Sequence, residues 1–204
     1  MPAIHLKFMK KIFRSIPLFV LVTVLTQCLA AEAPSPAQEL LLQLDPAKSS
    51  ADIILAASLH TVHGSFALKR GAVRFNPATG KASGEIVFDA TSGKTGNSSR
   101  DNKMHKDVIH SQRYPEIVFH LDRADGILSP SGDSTLQVHG MFGIHGAEHE
   151  VIFPVQVNLA ASGWSAKASF QVPYVKWGMK NPSVLFLRVA DTVQVQFHAA
   201  GAVQ

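Results

Sequence analysis

Val151, Phe153, Val155, Val157 and Leu159 occupy every second position of one unbroken run, with Ile152, Pro154, Gln156 and Asn158 between them. A helix advances by about 100° per residue and would scatter such a row around its circumference. A strand puts all five side chains on one face. The same period of two recurs at Ile86, Phe88 and Ala90, at Ile117, Phe119 and Leu121, and at Val193, Val195, Phe197 and Ala199. Each segment has one face seeking a shared interior, as in antiparallel sheets with one wet side.

Turn-forming residues separate the runs: Asn76-Pro77-Ala78-Thr79-Gly80, Ser129-Pro130-Ser131-Gly132-Asp133, His145-Gly146-Ala147 and Ser162-Gly163. The pattern predicts eight or nine strands, over 51–59, 60–69, 71–76, 83–91, 116–124, 134–143, 148–160, 164–173 and 191–200. That many consecutive strands must close or stack, because a long open edge invites aggregation. The expected fold is all-β, an antiparallel eight-stranded barrel with a short helical insert.

The insert is Ser98–Gln112. Ser98 or Ser99 is expected to cap it, and Asp101 falls in a first turn, where negative charge suits the helix dipole. Met104, Val108 and Ile109 form a narrow apolar stripe, with Lys103, Lys106 and Asp107 on the wet face. A second helical or irregular piece is expected between Val175 and Leu187, where Pro182 rules out a long helix.

At the N-terminus, Lys7, Lys10, Lys11 and Arg14 precede the apolar run Ile16–Leu25, and Ala31-Glu32-Ala33 is a candidate cleavage site. This is the layout of a secretory signal peptide, and it implies export. The run is short for a membrane span. Cys28, the one cysteine, ends a stretch resembling a lipoprotein box, but Gln27 stands where a small residue is usual. The expected organisation is a signal peptide over 1–33, a linker over 34–44 and a barrel over 45–204. The four signal cations account for the whole excess of 19 Lys+Arg over 15 Asp+Glu. With residues 1–31 removed the chain is formally neutral, which removes the electrostatic case for a nucleic-acid partner.

Four segments carry a family resemblance. They are His60-Thr-Val-His-Gly-Ser-Phe66, Ser92-Gly-Lys-Thr-Gly96, Arg100-Asp101 with Tyr114-Pro-Glu-Ile-Val-Phe119, and Val138-His-Gly-Met-Phe-Gly-Ile-His-Gly146. Between about Ser58 and Ala200 the chain resembles the YceI-like family of bacterial periplasmic proteins. The resemblance implies a lipocalin-like barrel and a polyisoprenoid ligand. Phe142-Gly143-Ile144 and His149-Glu150-Val151 depart from the family's Leu-Thr-Leu and Lys-Pro-Val.

The resemblance directs attention to an apolar interior. Phe66, Phe75, Phe88, Phe119, Phe142, Phe153, Phe170, Trp177 and Phe186 are the candidate lining of a tail-binding cavity, and Arg100 a candidate contact for a polar head group. The expected ligand is an isoprenoid or quinone-like lipid, bound without a cofactor and without catalysis. Alternatively, Arg100 or Asp101 ties the insert to barrel backbone. A rival reading gives His60, His63, His145 and His149 to a metal site, or to acid or oxidative stress. His60 and His63 need a bend between them to converge, whereas His145 and His149 straddle a hairpin turn. A membrane redox protein and a second copy of the chain are the other candidate partners. Gly-x-Ser-x-Gly, a Gly-rich phosphate loop and His-Glu-x-x-His do not occur in the sequence.

Overall fold

The computed structural model describes residues 39–204. The predicted signal peptide, Cys28 and residues 34–38 of the predicted linker lie outside the described residues. Nine strands follow in order: β1 Leu40–Leu44, β2 Ser50–Ala56, β3 Thr61–Phe75, β4 Ala82–Asp89, β5 Glu116–Asp125, β6 Gly132–Ile144, β7 Ala147–Ala160, β8 Gly163–Val172 and β9 Val193–Val203. All neighbours pair antiparallel, and β3 pairs with β4 to close the sheet. Nine segments make eight staves, because β1 and β2 share one position. β2 lies between the first half of β3 and the first half of β9. β1 lies between the second half of β3 and the end of β9.

The split in that stave is local chemistry. Pro46 has no N–H to give a ladder, and Asp45 turns its carboxylate back to accept from Ala47 N at 2.9 Å. Buried Ser49 spans the break, its Oγ accepting from Ala200 N at 3.3 Å. Leu40–Leu44, assigned by the sequence to the linker, is thus part of the barrel, with Leu42 and Leu44 in the core. The predicted strands 60–69 and 71–76 are one strand. A register shift between Leu68 and Arg70 bends β3 without ending it.

The inner rows follow the predicted period. Phe153, Val155, Val157 and Leu159 of β7 are buried, as are Ile117, Phe119 and Leu121 of β5 and Val195 and Ala199 of β9. Each of these Val, Leu, Ile and Phe side chains contributes about 1.5–3 kcal/mol when fully buried. Val87 is the exception. It stands on the opposite face from Ile86 and Phe88, paired with Arg70 and Val118, and is fully buried.

The helical insert runs as α1, Ser98–Lys103, and continues as a π-helical turn, Met104–Val108. Its cap is Asn97, one residue ahead of the expected serines; Asn97 Oδ1 accepts from Arg100 N at 3.0 Å. The segment between β8 and β9 is irregular, with a turn after Pro173 and isolated bridges up to Val189. Since strands alternate in direction, this segment, the insert, the β2–β3 loop and the β6–β7 hairpin all gather at one end. The turns after β3, β5 and β7 gather at the other.

Gly140 occupies an inward position between Val138 and Phe142, and the Phe119 ring lies across it. A Cβ there would sit 2.8 Å from that ring and closer still to the His120 carbonyl. The ring can swing aside, but the backbone carbonyl cannot. Gly140→Ala is therefore expected to cost about 1–3 kcal/mol, read as a lower urea midpoint at unchanged slope.

Candidate functional site

The inward rows do not meet. They surround a cavity of about 550 Å³ that runs from Leu42, Phe75, Leu128 and Trp164 near one end to the helical insert at the other. Its wall carries Phe66, Phe75, Phe88, Phe119, Phe142, Phe153 and Phe170. Phe153 stacks on Phe170 at 4.3 Å between centroids and meets Phe119 at 5.4 Å; Phe142 meets Phe170 edge-on at 5.9 Å. Across the barrel, Phe88 and Phe197 form a second edge-to-face pair at 5.8 Å. Offset and perpendicular rings suit the aromatic quadrupole and stiffen the wall.

Two expected lining residues lie elsewhere. Phe186 is 92% exposed, at the tip of the β8–β9 segment. That stretch has no strand pattern to turn a ring inward. Trp177 is not part of the lining; its ring lies 5.9 Å from that of Phe142 and stacks flat on His149 at 4.1 Å.

Polarity enters at the insert end. Thr95, Ser99, Arg100, Lys103 and His60 border the cavity there. Arg100 and Asp101, adjacent in sequence, converge on Thr95. Asp101 Oδ1 accepts from Thr95 N at 2.8 Å and from Thr95 Oγ1. Arg100 Nε donates to Thr95 Oγ1 and Nη2 to Thr95 O, both at 2.8 Å. Thr95 in turn is held to the barrel through Lys94, whose N–H and C=O both pair with Ser65 of β3. Arg100 thus does the tying that sequence reasoning offered as the alternative to a head-group contact. Two of its five donors are taken this way, and its side chain still borders the cavity.

His105 braces the insert from the other side. Its Nε2 lies 2.8 Å from Gly93 O and its Nδ1 2.9 Å from Ser111 Oγ. A carbonyl only accepts, so Nε2 donates to Gly93 O, and the buried Ser111 hydroxyl partners Nδ1. Gly93 makes room for this arrangement, since a Cβ there would lie 2.5 Å from the Phe66 ring. The π turn closes with Ile109 N donating to Met104 O, bringing Met104, Val108 and Ile109 together onto the cavity. The stripe was readable in the sequence. Thr95, His105 and Lys103 were missed as structural or mouth residues, because their partners are set by the fold.

The histidines do not converge as the metal reading requires. His60 lies at the mouth, whereas His63 is exposed on β3. His145 Nε2 faces His110 Nδ1 at 3.2 Å, while His149 is committed to Trp177. Among the described residues no group of three or more His, Cys, Asp or Glu side chains is placed to hold a metal ion. Elsewhere, hydrogen bonds from Arg70 and Lys69 hold the Glu116 carboxyl down at about 2. Burial pushes the Tyr174 phenol up to about 12, and its OH donates to Ala190 O at 2.8 Å, tying down the β8–β9 segment.

A family profile described as the YceI-like domain matches residues 42–200. The chain belongs to the YceI-like family. A comparison with curated proteins finds no match. Among solved structures, BcnA of Burkholderia cenocepacia is similar at 20% identity, with a TM-score of 0.66 over 78% of this chain and 99% of that one. A domain from Saccharophagus degradans, described as polyisoprenoid-binding and implicated in plant cell wall breakdown, is similar at 16% identity, with a TM-score of 0.60 over 78% and 95%. The YceI protein of Campylobacter jejuni follows at 13% identity, 0.51, 71% and 87%. At these identities the YceI-like barrel is what is shared.

Burial lowers the pKa of His149, and burial followed by the nearby His110 and Arg113 lowers that of His145. The unfolded chain therefore binds more protons than the folded one as pH falls below the ordinary value of 6.5. The stability these histidines contribute is complete above that value and is lost as pH drops through their folded pKa values. Melting temperature is expected to fall between about pH 7 and pH 5, and less so in His149→Phe, which keeps the stack on Trp177. Scanning calorimetry across that range checks both.

Proposed function

We propose that this YceI-like protein is a periplasmic, non-enzymatic carrier or store for a long-tailed amphiphile of isoprenoid type, held in the barrel with its tail inward. What carries the reading is the segregation of polarity. The cavity wall is apolar along its depth, and cationic and hydroxyl groups border it only at the insert end. A molecule with a hydrocarbon tail and one polar head matches that distribution; a sugar, a peptide or a nucleotide would leave buried polar groups unpaired.

Each buried methylene-sized unit of tail contributes about 0.8 kcal/mol, so firm binding needs no specific polar contact along the wall. The head group would meet the unengaged donors of Arg100 and the Lys103 ammonium. The Saccharophagus domain's description as polyisoprenoid-binding supports the ligand class. The basic, then apolar, then small-residue N-terminus supports export.

Native mass spectrometry of the protein, exported in a bacterial host and never denatured, is expected to show one prenyl-type lipid per chain, released by organic extraction. A chain that emerges lipid-free and takes up no added prenol overturns the proposal. Ala166 lines the wall, so Ala166→Phe fills void space rather than displacing packed atoms. This variant is expected to keep its melting temperature and to bind a long-chain prenol at least about tenfold more weakly, an affinity loss of about 1.4 kcal/mol or more. Equilibrium titration with the prenol measures it.

A further inference from the structure

The cavity mouth has an apolar rim, two of whose residues, Leu185 and Phe186, do not line the cavity. Leu185 is 90% and Phe186 92% exposed, Val184 and Leu187 flank them half-exposed, and Leu59 of the facing β2–β3 loop is 77% exposed. Isolated surface leucines need no explanation, but a cluster of this kind does. The two loops are one unit. Ser58 N donates to Arg188 O at 2.9 Å, Arg188 N donates to Ser58 Oγ at 3.0 Å, and Ala57 bridges Val189.

The tip is built rather than loose. Val184 and Leu187 exchange both backbone hydrogen bonds, at 3.1 and 2.8 Å. Asn181 Oδ1 accepts from Ser183 N, and Ser183 Oγ from Val189 N. Lys103 Nζ donates to Pro182 O at 3.0 Å, anchoring the base of the tip to the helical insert. At the apex Leu185 has φ 41. Tight turns normally place Gly, Asn or Asp in that left-handed region, because a branched side chain is strained there. A strained and water-exposed leucine followed by an exposed phenylalanine is costly twice over, which points to a role outside the barrel's own packing.

We propose that residues 184–187 are a membrane-docking tip that enters the interfacial layer of a lipid bilayer and sets the cavity mouth against it. Three observations select a bilayer. Val184, Leu187 and Leu59 also border the cavity, so an apolar track leads from the tip into the barrel. The segment from 174 to 191 carries Lys176, Lys180 and Arg188 against Asp191 alone, and Asp191 is engaged by Asn181 at 2.6 Å; this balance suits anionic head groups. Full burial of these five apolar side chains would still fall short of the roughly 800 Å² per partner of a standard stable interface, whereas interfacial binding needs only a few inserted apolar groups. The proposal rests on the reading of the cavity as a lipid site. It gives the tip the task of admitting a tail without exposing it to water.

The test uses residues 36–204, a compact unit of its own with a closed sheet and internal core, so the apolar N-terminal run cannot drive binding. Co-sedimentation with vesicles of phosphatidylethanolamine and phosphatidylglycerol is expected to show binding that L185S/F186S weakens at least about tenfold. Added salt is expected to weaken it further. Both side chains are exposed, so the variant is expected to keep the wild-type melting temperature and its uptake of a free prenol from solution, while prenol transfer from vesicles slows. Equal vesicle binding by wild type and variant overturns the proposal, as does no binding by wild type. So does a wild-type dimer, seen by sedimentation velocity, that the variant dissolves without any change in vesicle binding. Tip-dependent vesicle binding by a protein that takes up no prenol would support docking and remove the carrier reading. Prenol uptake without vesicle binding would do the reverse.

Discussion

The structure depends on one strand that closes the sheet, paired with two successive strands on one edge and, from Leu68 to Phe75, with a third on the other. β3 has fifteen residues, long enough to meet β2 and then β1 on one side and β4 on the other. Had β3 stopped at the register shift near Leu68, the sheet would have ended in two open edges rather than a barrel. The shift keeps pairing intact while re-aiming the strand, so Phe66 and Leu68 before it and Val73 and Phe75 after it all serve the interior. Closure fixes an inside, and the inside is wider than its side chains can fill.

The polar chemistry depends on that same strand at one remove. Ser65 of β3 pairs with Lys94, which places Thr95 where Arg100 and Asp101 can both reach it. The insert is therefore a clamped cap rather than a dangling helix. Met104, Val108 and Ile109 face the cavity, and Arg100 and Lys103 border its mouth. Lys103 extends the connection to the β8–β9 segment, so the wall, the cap and the rim form one chain of contacts.

Period two was legible wherever a strand had one wet face, and it marked most of the inner rows and the insert that interrupts them. It failed at Leu40-Leu41-Leu42, where three consecutive leucines hide the alternation and the following Asp45-Pro46 reads as a boundary. It split β3 at Lys69-Arg70-Gly71, since a bulge and a strand end look alike in one dimension. The wall phenylalanines lie on strands, whereas Trp177 and Phe186 do not; counting aromatics without asking for their period misplaced those two. The Thr95 node was not legible, because four hydrogen bonds to one threonine come from backbone geometry rather than spacing. Nor could the sequence distinguish a hollow barrel from a filled one, since the same inward row serves either.

That hollow has a mechanical consequence. Atoms lining a void lack dispersion partners on one side, and eliminating internal void makes the unfolded state the smaller one by volume. An empty barrel of this kind is the form of the protein most easily undone by hydrostatic pressure, while an occupant that fills the space restores contacts and removes the volume advantage of unfolding. Occupancy and compressibility are then two readings of the same space, and the protein's resistance to squeezing reports whether that space is filled.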